Sequence, residues 1–271
     1  MSKDSVPKAI AFVALKGGVG KTTSAYNYGE WLVNHSKKVL FIDLDQNCDL
    51  SQTLQSYKAT NTVRYIFQPE YGHADIINIK PNLDLITGDP DMEDVEYDLA
   101  LKTNKYMRLY LWFIKNIDSL MKYDYIIMDC HPDFGTITKN AIILSDVLLS
   151  PITPQKAAYN KKGILRERIS ELSQEAIDYK SGDTFVTAKL WFYGNNIAHN
   201  TRASRELKAQ LENEKDVIGI IPKREIFNTS LTDNIPIAEM EKENSKYSRF
   251  KDFFSEMNDF YEKVTTKINS L

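Results

Sequence analysis

The chain has 271 residues, 42% hydrophobic and 26% charged, an ordinary composition for one large α/β domain or two small ones. Its 34 basic and 37 acidic residues leave a formal charge of −3, which excludes a global basic field, so any nucleic-acid contact must be a local patch. Cys48 and Cys130 stand far apart with no CxxC spacing, which excludes a cysteine-rich zinc or iron–sulfur site and favours a reducing cytosol.

No apolar run is long enough to cross a bilayer, and Met1 to Lys8 is too short and polar for a signal peptide. Residues 1–7 read as a polar tail, and residues 8–271 as one continuous domain. The apolar run Ala9 to Leu15 predicts a buried strand, and Ser24 to Val33 a helix with Ala25, Tyr28 or Gly29, and Leu32 on one face. Between them lies Lys16-Gly17-Gly18-Val19-Gly20-Lys21-Thr22-Thr23. Strand, glycine-rich turn and helix is the context in which backbone N–H groups curl around a phosphate. The helix N-terminus adds positive charge; Lys21 would reach the β- and γ-phosphates, and the Thr22 hydroxyl would ligate Mg²⁺.

Lys37 to Asp43 predicts a second strand ending in acid, followed by the polar loop Leu44 to Ser51. Tyr57 to Asp91 is mixed, with a helical turn over Thr62 to Gln68 and a strand over Leu83 to Ile86 before Gly88-Asp89-Pro90. Met92 to Met121 is mostly helical by its spacing, and Tyr123 to Asp129 is a third strand ending in acid. Beyond it come a helix (137–144), a strand (146–152), a long helix (157–179), a strand (185–193), a helix (203–211) and a strand (217–221). The last helix, 246–268, carries the stripe Phe250, Phe253, Phe254, Met257, Phe260 or Tyr261, Val264 and Ile268. Such alternation implies an α/β fold: a mostly parallel twisted sheet with helices on both faces. Strand ends converge on the ligand crevice of a parallel sheet, so Asp43, Asp45 and Asp129 become site candidates.

The glycine-rich box resembles the deviant Walker A box of the ParA/MinD/Soj ATPases, with Leu15 where the general motif has its first glycine and Lys16 as an early second lysine. Phe41-Ile42-Asp43-Leu44-Asp45-Gln46 is similar to that family's switch I, with Gln46 where proline is common. Tyr123 to Pro132 resembles its YDYIIIDxPP box, with His131 in place of the first proline. Ile137 to Asp146, Asn200 to Leu207 and Ile220 to Phe227 resemble later family segments in order. The likeness implies a single-domain P-loop NTPase without an N-terminal helix-turn-helix domain. It makes Lys16, Lys21, Asp45 and Asp129 the catalytic set, with Asp45 orienting the attacking water and Lys16 crossing to a partner's nucleotide. Residues 16–23 with Asp43, Pro222 and Lys223 would hold ATP, Pro222 against the adenine; Thr22, Asp43 and Asp129 would serve Mg²⁺.

Among relatives, the resemblance fits small partition ATPases of plasmids or chromosomes. It implies a cytoplasmic, nucleoid-associated enzyme of weak activity that forms a homodimer on ATP and binds double-stranded DNA without sequence preference. A ParB-like partner would stimulate hydrolysis and release it. DNA candidates are Arg202, Arg205 and Lys208, then Lys223 and Arg224, then Lys246, Arg249 and Lys251. The alternative is a MinD-like ATPase on a membrane. It would need a basic amphipathic end, whereas the final stripe here reads as a core-packing helix, so no membrane is expected.

Overall fold

The computed structural model describes residues 6–57, 60–243 and 247–271. Among them run β1 (Lys8–Phe12), β2 (Val39–Leu44), β3 (Ile77–Lys80), β4 (Leu83–Ile86), β5 (Tyr125–Cys130), β6 (Val147–Ile152), β7 (Lys189–Ile197) and β8 (Val217–Pro222). They form one sheet in the order β3-β4-β2-β5-β1-β6-β7-β8, parallel throughout except where β3 meets β4. The expected α/β class with a mostly parallel sheet is therefore what the chain adopts.

Alternation along each strand divides the core in two. Ala9, Ala11, Leu40, Ile42, Ile126 and Met128 face one cluster. Ile10, Phe12, Val39, Phe41, Tyr125 and Ile127 face the other. The first is closed by α4 (Met92–Ala100), α5 (Arg108–Lys115), α7 (Thr136–Leu144), α8 (Lys156–Glu175) and α9 (Arg202–Leu211). The second is closed by α1 (Lys21–Asn34), α10 (Ile226–Thr232), α11 (Ile237–Met240) and the C-terminal helix (Lys251–Asn269). Burial on both faces is why the central strands read as continuous apolar runs. Short helices α2 (Asp49–Thr53), α3 (Arg64–Phe67) and α6 (Ile117–Leu120) and a 3-10 turn (Ser248–Phe250) lie between these elements among the described residues.

Several sequence expectations change. The single apolar face read for α1 becomes burial of every residue from Ser24 to Leu32. That helix lies between the sheet and an outer layer: Asn27 bonds Ser230 of α10 at 3.1 Å, and the Trp31 indole bonds Asn258 of the C-terminal helix at 2.8 Å. The helical stretch 92–121 is broken into α4, α5 and α6. Asn140, arriving from α7, takes the Lys105 carbonyl (2.7 Å) and the Leu109 N–H (3.1 Å), so a side chain from elsewhere sets where α5 begins. The strand read at 185–193 sits at Lys189–Ile197, because pairing with β6 starts at Lys189 opposite Val147. β3 was hidden in the mixed region and is the antiparallel edge.

Candidate nucleotide-binding site

Register sets the chemistry at the carboxyl ends of the central strands. Asp43 of β2 lies directly opposite Asp129 of β5, and Asp129 is also in register with Phe12 of β1, just ahead of the glycine-rich loop. Within that loop Gly18 (φ 71°) and Gly20 (φ 89°) adopt the left-handed conformation, which glycine enters without steric penalty. Gly20 is the N-cap of α1 and offers no side chain, and no acid stands in the helix's first turn. The first amides of a 14-residue helix thus keep their hydrogen-bonding capacity and their partial positive charge. Such an end suits an anion.

A cavity of about 520 Å³ opens over this end, lined by Gly17, Gly18, Gly20, Lys21, Thr22 and Thr23. Opposite stand Asp45, Asn47, Asp49, Gln52 and Thr53 from the loop after β2 and from α2, then Pro132, Leu231 and Asn234. Its volume falls in the range of small-molecule sites. Lys21 is only 6% exposed, so its ammonium meets little screening.

The three acids sit in different environments. Asp43 is fully hydrogen-bonded: Oδ2 accepts from the Ser51 amide (2.9 Å) and hydroxyl (2.6 Å), and Oδ1 from the Asp45 amide at 3.2 Å. Burial pushes its carboxyl up to about 6, against the pull of the Ser51 hydroxyl. Asp45 is held by Asn47, whose amide nitrogens donate to Oδ1 from backbone (3.0 Å) and side chain (2.9 Å). Asp129 is wholly buried, and neither of its oxygens meets a donor in hydrogen-bonding geometry. Burial drives its carboxyl up to about 8, opposed by the Lys21 ammonium and the nearby Thr22 hydroxyl.

An orphaned buried carboxylate is costly unless something supplies positive charge. A divalent cation shared with phosphate fits that requirement, and Mg²⁺ characteristically takes one or two protein oxygens, completing its shell with phosphates and water. Thr22 lines the cavity, and Asp129, outside the lining, lies within reach of the Lys21 charge and the Thr22 hydroxyl, so these two residues would hold it. Asp43 instead commits both oxygens to its own loop.

Lys16 does not line the large cavity; its ammonium donates to Gln155 Oε1 just ahead of α8. Pro222 and Lys223 are also absent from the lining, where Leu231 and Asn234 stand instead; Lys223 bonds the Ile197 carbonyl through its backbone N–H at 2.9 Å. Of the DNA candidates, Arg202 is paired with Glu206 at 2.7 Å and Lys208 with Glu212 at 3.9 Å. Arg205, Lys223, Arg224, Arg249 and Lys251 are exposed, while Lys246 lies outside the described residues. His131 pairs with Asp133 at 3.2 Å.

Sequence reasoning missed Ser51, Asn47 and Asn195. The side-chain amide of Asn195 at the end of β7 donates to the Val19 carbonyl at 2.7 Å, and a Cβ on Gly20 would collide with it. Its signal was there: a polar Asn195-Asn196 pair closing the apolar run Trp191 to Tyr193. The final amphipathic stripe is not free for a membrane, since Phe253, Phe254, Met257, Tyr261, Val264 and Ile268 are buried. Among the described residues no helix is long and apolar enough to cross one.

Sheet order, glycine-rich loop and acid placement together define a P-loop nucleoside-triphosphatase fold. An AAA domain family model matches residues 7–179. The chain belongs to this family, within its ParA/Soj branch. It is 32% identical to the sporulation initiation inhibitor protein Soj of Bacillus subtilis over 151 residues. That stretch is 54% of this chain and 58% of Soj, so the chain spans little more than half the length of the curated relative it matches. Two solved structures share the fold over nearly the whole chain. A putative plasmid partition protein from Borrelia burgdorferi bound to AMPPNP matches with TM-score 0.76 at 23% identity, covering 96% of this chain and 99% of that one. An ATP complex of a Cyanothece McdA variant matches with TM-score 0.80 at 20% identity, covering 96% and 97%.

Proposed function

We propose that the chain is a partition ATPase that binds ATP with Mg²⁺, hydrolyses it slowly, and uses the nucleotide to control dimerisation and DNA binding. One observation carries this reading: a side-chain-free helix N-terminus and buried Lys21 line one cavity, and unpartnered, wholly buried Asp129 lies close to Lys21 and Thr22 at its edge. The loop amides and Lys21 would hold the β- and γ-phosphates. Mg²⁺, held by Thr22 and Asp129, would offset negative charge on the phosphates. Asp45, kept in place by Asn47, would orient the attacking water. Pro222 with Lys223 remains the candidate for the base from the family likeness, and Leu231 with Asn234 stands nearer the cavity.

Lys16 sits on the loop yet outside its own cavity, which supports a role toward a second copy's nucleotide. Two copies joined across ATP would present their basic residues together, and paired weak patches bind more tightly without any new contact. Exposed Arg205, Lys223, Arg224, Arg249 and Lys251 are the foremost groups for phosphate contact. A ParB-like protein would then trigger hydrolysis and release, in the cytoplasm at the nucleoid. The test is size-exclusion chromatography and duplex binding with a slowly hydrolysed ATP analogue, across a salt series. A dimer that binds any duplex and loses it steeply with salt is expected. Lys16→Ala should keep nucleotide binding and lose the dimer. A monomer indifferent to nucleotide, or one that floats with liposomes instead of binding DNA, sinks the reading.

A further inference from the structure

α4 adds nothing to the lining of the nucleotide cavity. One of its residues nevertheless reaches the segment that follows Asp129. Glu96 accepts the Thr136 N–H through Oε1 and the Ile137 N–H through Oε2, the latter at 2.9 Å. These are the first two amides of α7, whose positive end favours a carboxylate.

Glu96 caps α7 from a distant segment, because no side chain at its N-cap bonds these amides. Asp133 ties the loop to the same helix, its Oδ1 accepting from the Gly135 N–H (3.1 Å) and from the Thr138 hydroxyl (2.9 Å). Glu96 is a second carboxylate, delivered to the same helix end from 40 residues earlier. Its approach also explains residue 135. Gly135 has φ −73°, which any amino acid adopts, yet a Cβ there would lie 2.9 Å from Glu96 Oε1. A side chain at 135 would push the Glu96 carboxylate off these amides, so the neighbour rather than the backbone angle favours glycine there.

The segment held in this way, His131 to Gly135, borders the same cavity as the phosphate loop. Pro132 and Gly17 both line it, and the Pro132 Cγ would lie 3.8 Å from a side chain at position 17. The loop is therefore anchored at one end by β5, with Pro132 beside Gly17 in the cavity wall, and at its far end by the α7 amides that Glu96 holds. A shift of the loop together with the start of α7 would stretch the two Glu96 bonds.

We propose that Glu96 is a positioning residue that, from α4, holds the loop His131–Gly135 against the phosphate loop, and so governs turnover rather than nucleotide affinity. The proposal rests on the reading of the cavity as an ATP site. Affinity comes from the loop amides and Lys21, which Glu96 does not touch. Turnover depends on where the neighbours of Asp129 stand, and small misplacements of such groups are costly.

The test compares the full-length protein with Glu96→Gln, which keeps the shape but turns an amide NH₂ toward one of the two N–H donors. Hydrogen exchange at residues 131–137, affinity for a slowly hydrolysed ATP analogue and steady-state turnover with Mg·ATP are measured side by side. Expected are exchange at Thr136 and Ile137 faster by roughly tenfold, affinity and KM within about twofold of wild type, and kcat lower by roughly tenfold. Should Glu96→Gln fail to fold, Glu96→Asp, which keeps the charge but is one methylene short, is read the same way. Faster exchange with kcat unchanged makes Glu96 a helix cap only and overturns the proposal, as does KM rising in step with the loss of kcat. Wild-type protein with no Mg·ATP turnover overturns the ATP reading and this proposal together, whereas a fully active variant overturns the proposal alone.

Discussion

The loops after β2 and β5 start from the same place and end in opposite electrostatic states. Asp43 and Asp129 are register partners on adjacent parallel strands, and both are wholly buried. Around Asp43 the chain folds back: Ser51 and the Asp45 amide occupy both oxygens, and the Ser51 hydroxyl also takes the Gly88 N–H at 2.8 Å. Around Asp129 no hydrogen bond forms, and its loop turns instead toward Gly17 and Glu96. A buried carboxylate with its bonds made is scaffold, whereas one without them calls for positive charge from a ligand. The same residue type at the same level of one sheet serves two ends.

The largest effect should come from removing the charge that faces Asp129. Lys21→Ala should weaken ATP binding by roughly a hundredfold or more, as a charged hydrogen-bonding partner of the phosphates is lost, measured by titration calorimetry. Affinity near wild type would mean that the cavity is not the phosphate site.

Next, the two acids should respond with opposite sign to the same substitution. In nucleotide-free protein with chelator, Asp43→Asn should lower unfolding free energy by about 1–3 kcal/mol, because its NH₂ opposes the Ser51 donors. Asp129→Asn should raise it by about 1–2 kcal/mol near pH 8 by removing an unpaired buried charge. Urea denaturation of both variants decides; the same sign for both would erase the distinction.

A pH series reads the same distinction without mutation. The unfolded chain releases the Asp129 proton near the ordinary carboxylate value of about 4, while the folded chain holds it up to about 8. Between these values the native state carries the extra proton, so the stability of nucleotide-free protein falls as pH rises, by up to about 1.4 kcal/mol per unit. Asp43 adds the same slope only up to about 6, so of these two acids Asp129 alone contributes from about pH 6 to 8. Asp129→Asn should flatten it.

The smallest effect belongs to the brace behind the loop. Asn195→Ala removes the bond to the Val19 carbonyl and should weaken nucleotide binding by roughly fivefold, at little cost in overall stability. A loss as large as that of Lys21→Ala would place Asn195 on the ligand itself.

Much of this was readable before any coordinates. Apolar runs ending in acid located β2 and β5, because strands buried on both faces need unbroken hydrophobicity. Lys16 to Thr23 located the glycine-rich loop, because Gly18 and Gly20 enter its left-handed turns without steric penalty. The break between α4 and α5 was not readable, since Asn140, which causes it, lies on α7. Nor were Ser51 and Glu96, whose polar side chains look like ordinary solvent-facing residues in a string of letters.

Local chemistry in the chain was enough to point to a glycine-rich helix entrance as the place for a phosphate, since backbone angles, helix ends and periodicity act within a few neighbours. Which carboxylate stays unpaired, why position 135 is glycine and where Lys16 reaches were decided by contacts between segments far apart in sequence. Hydrogen-bond satisfaction in a buried site depends on every group that arrives there, and only the folded arrangement determines which groups those are.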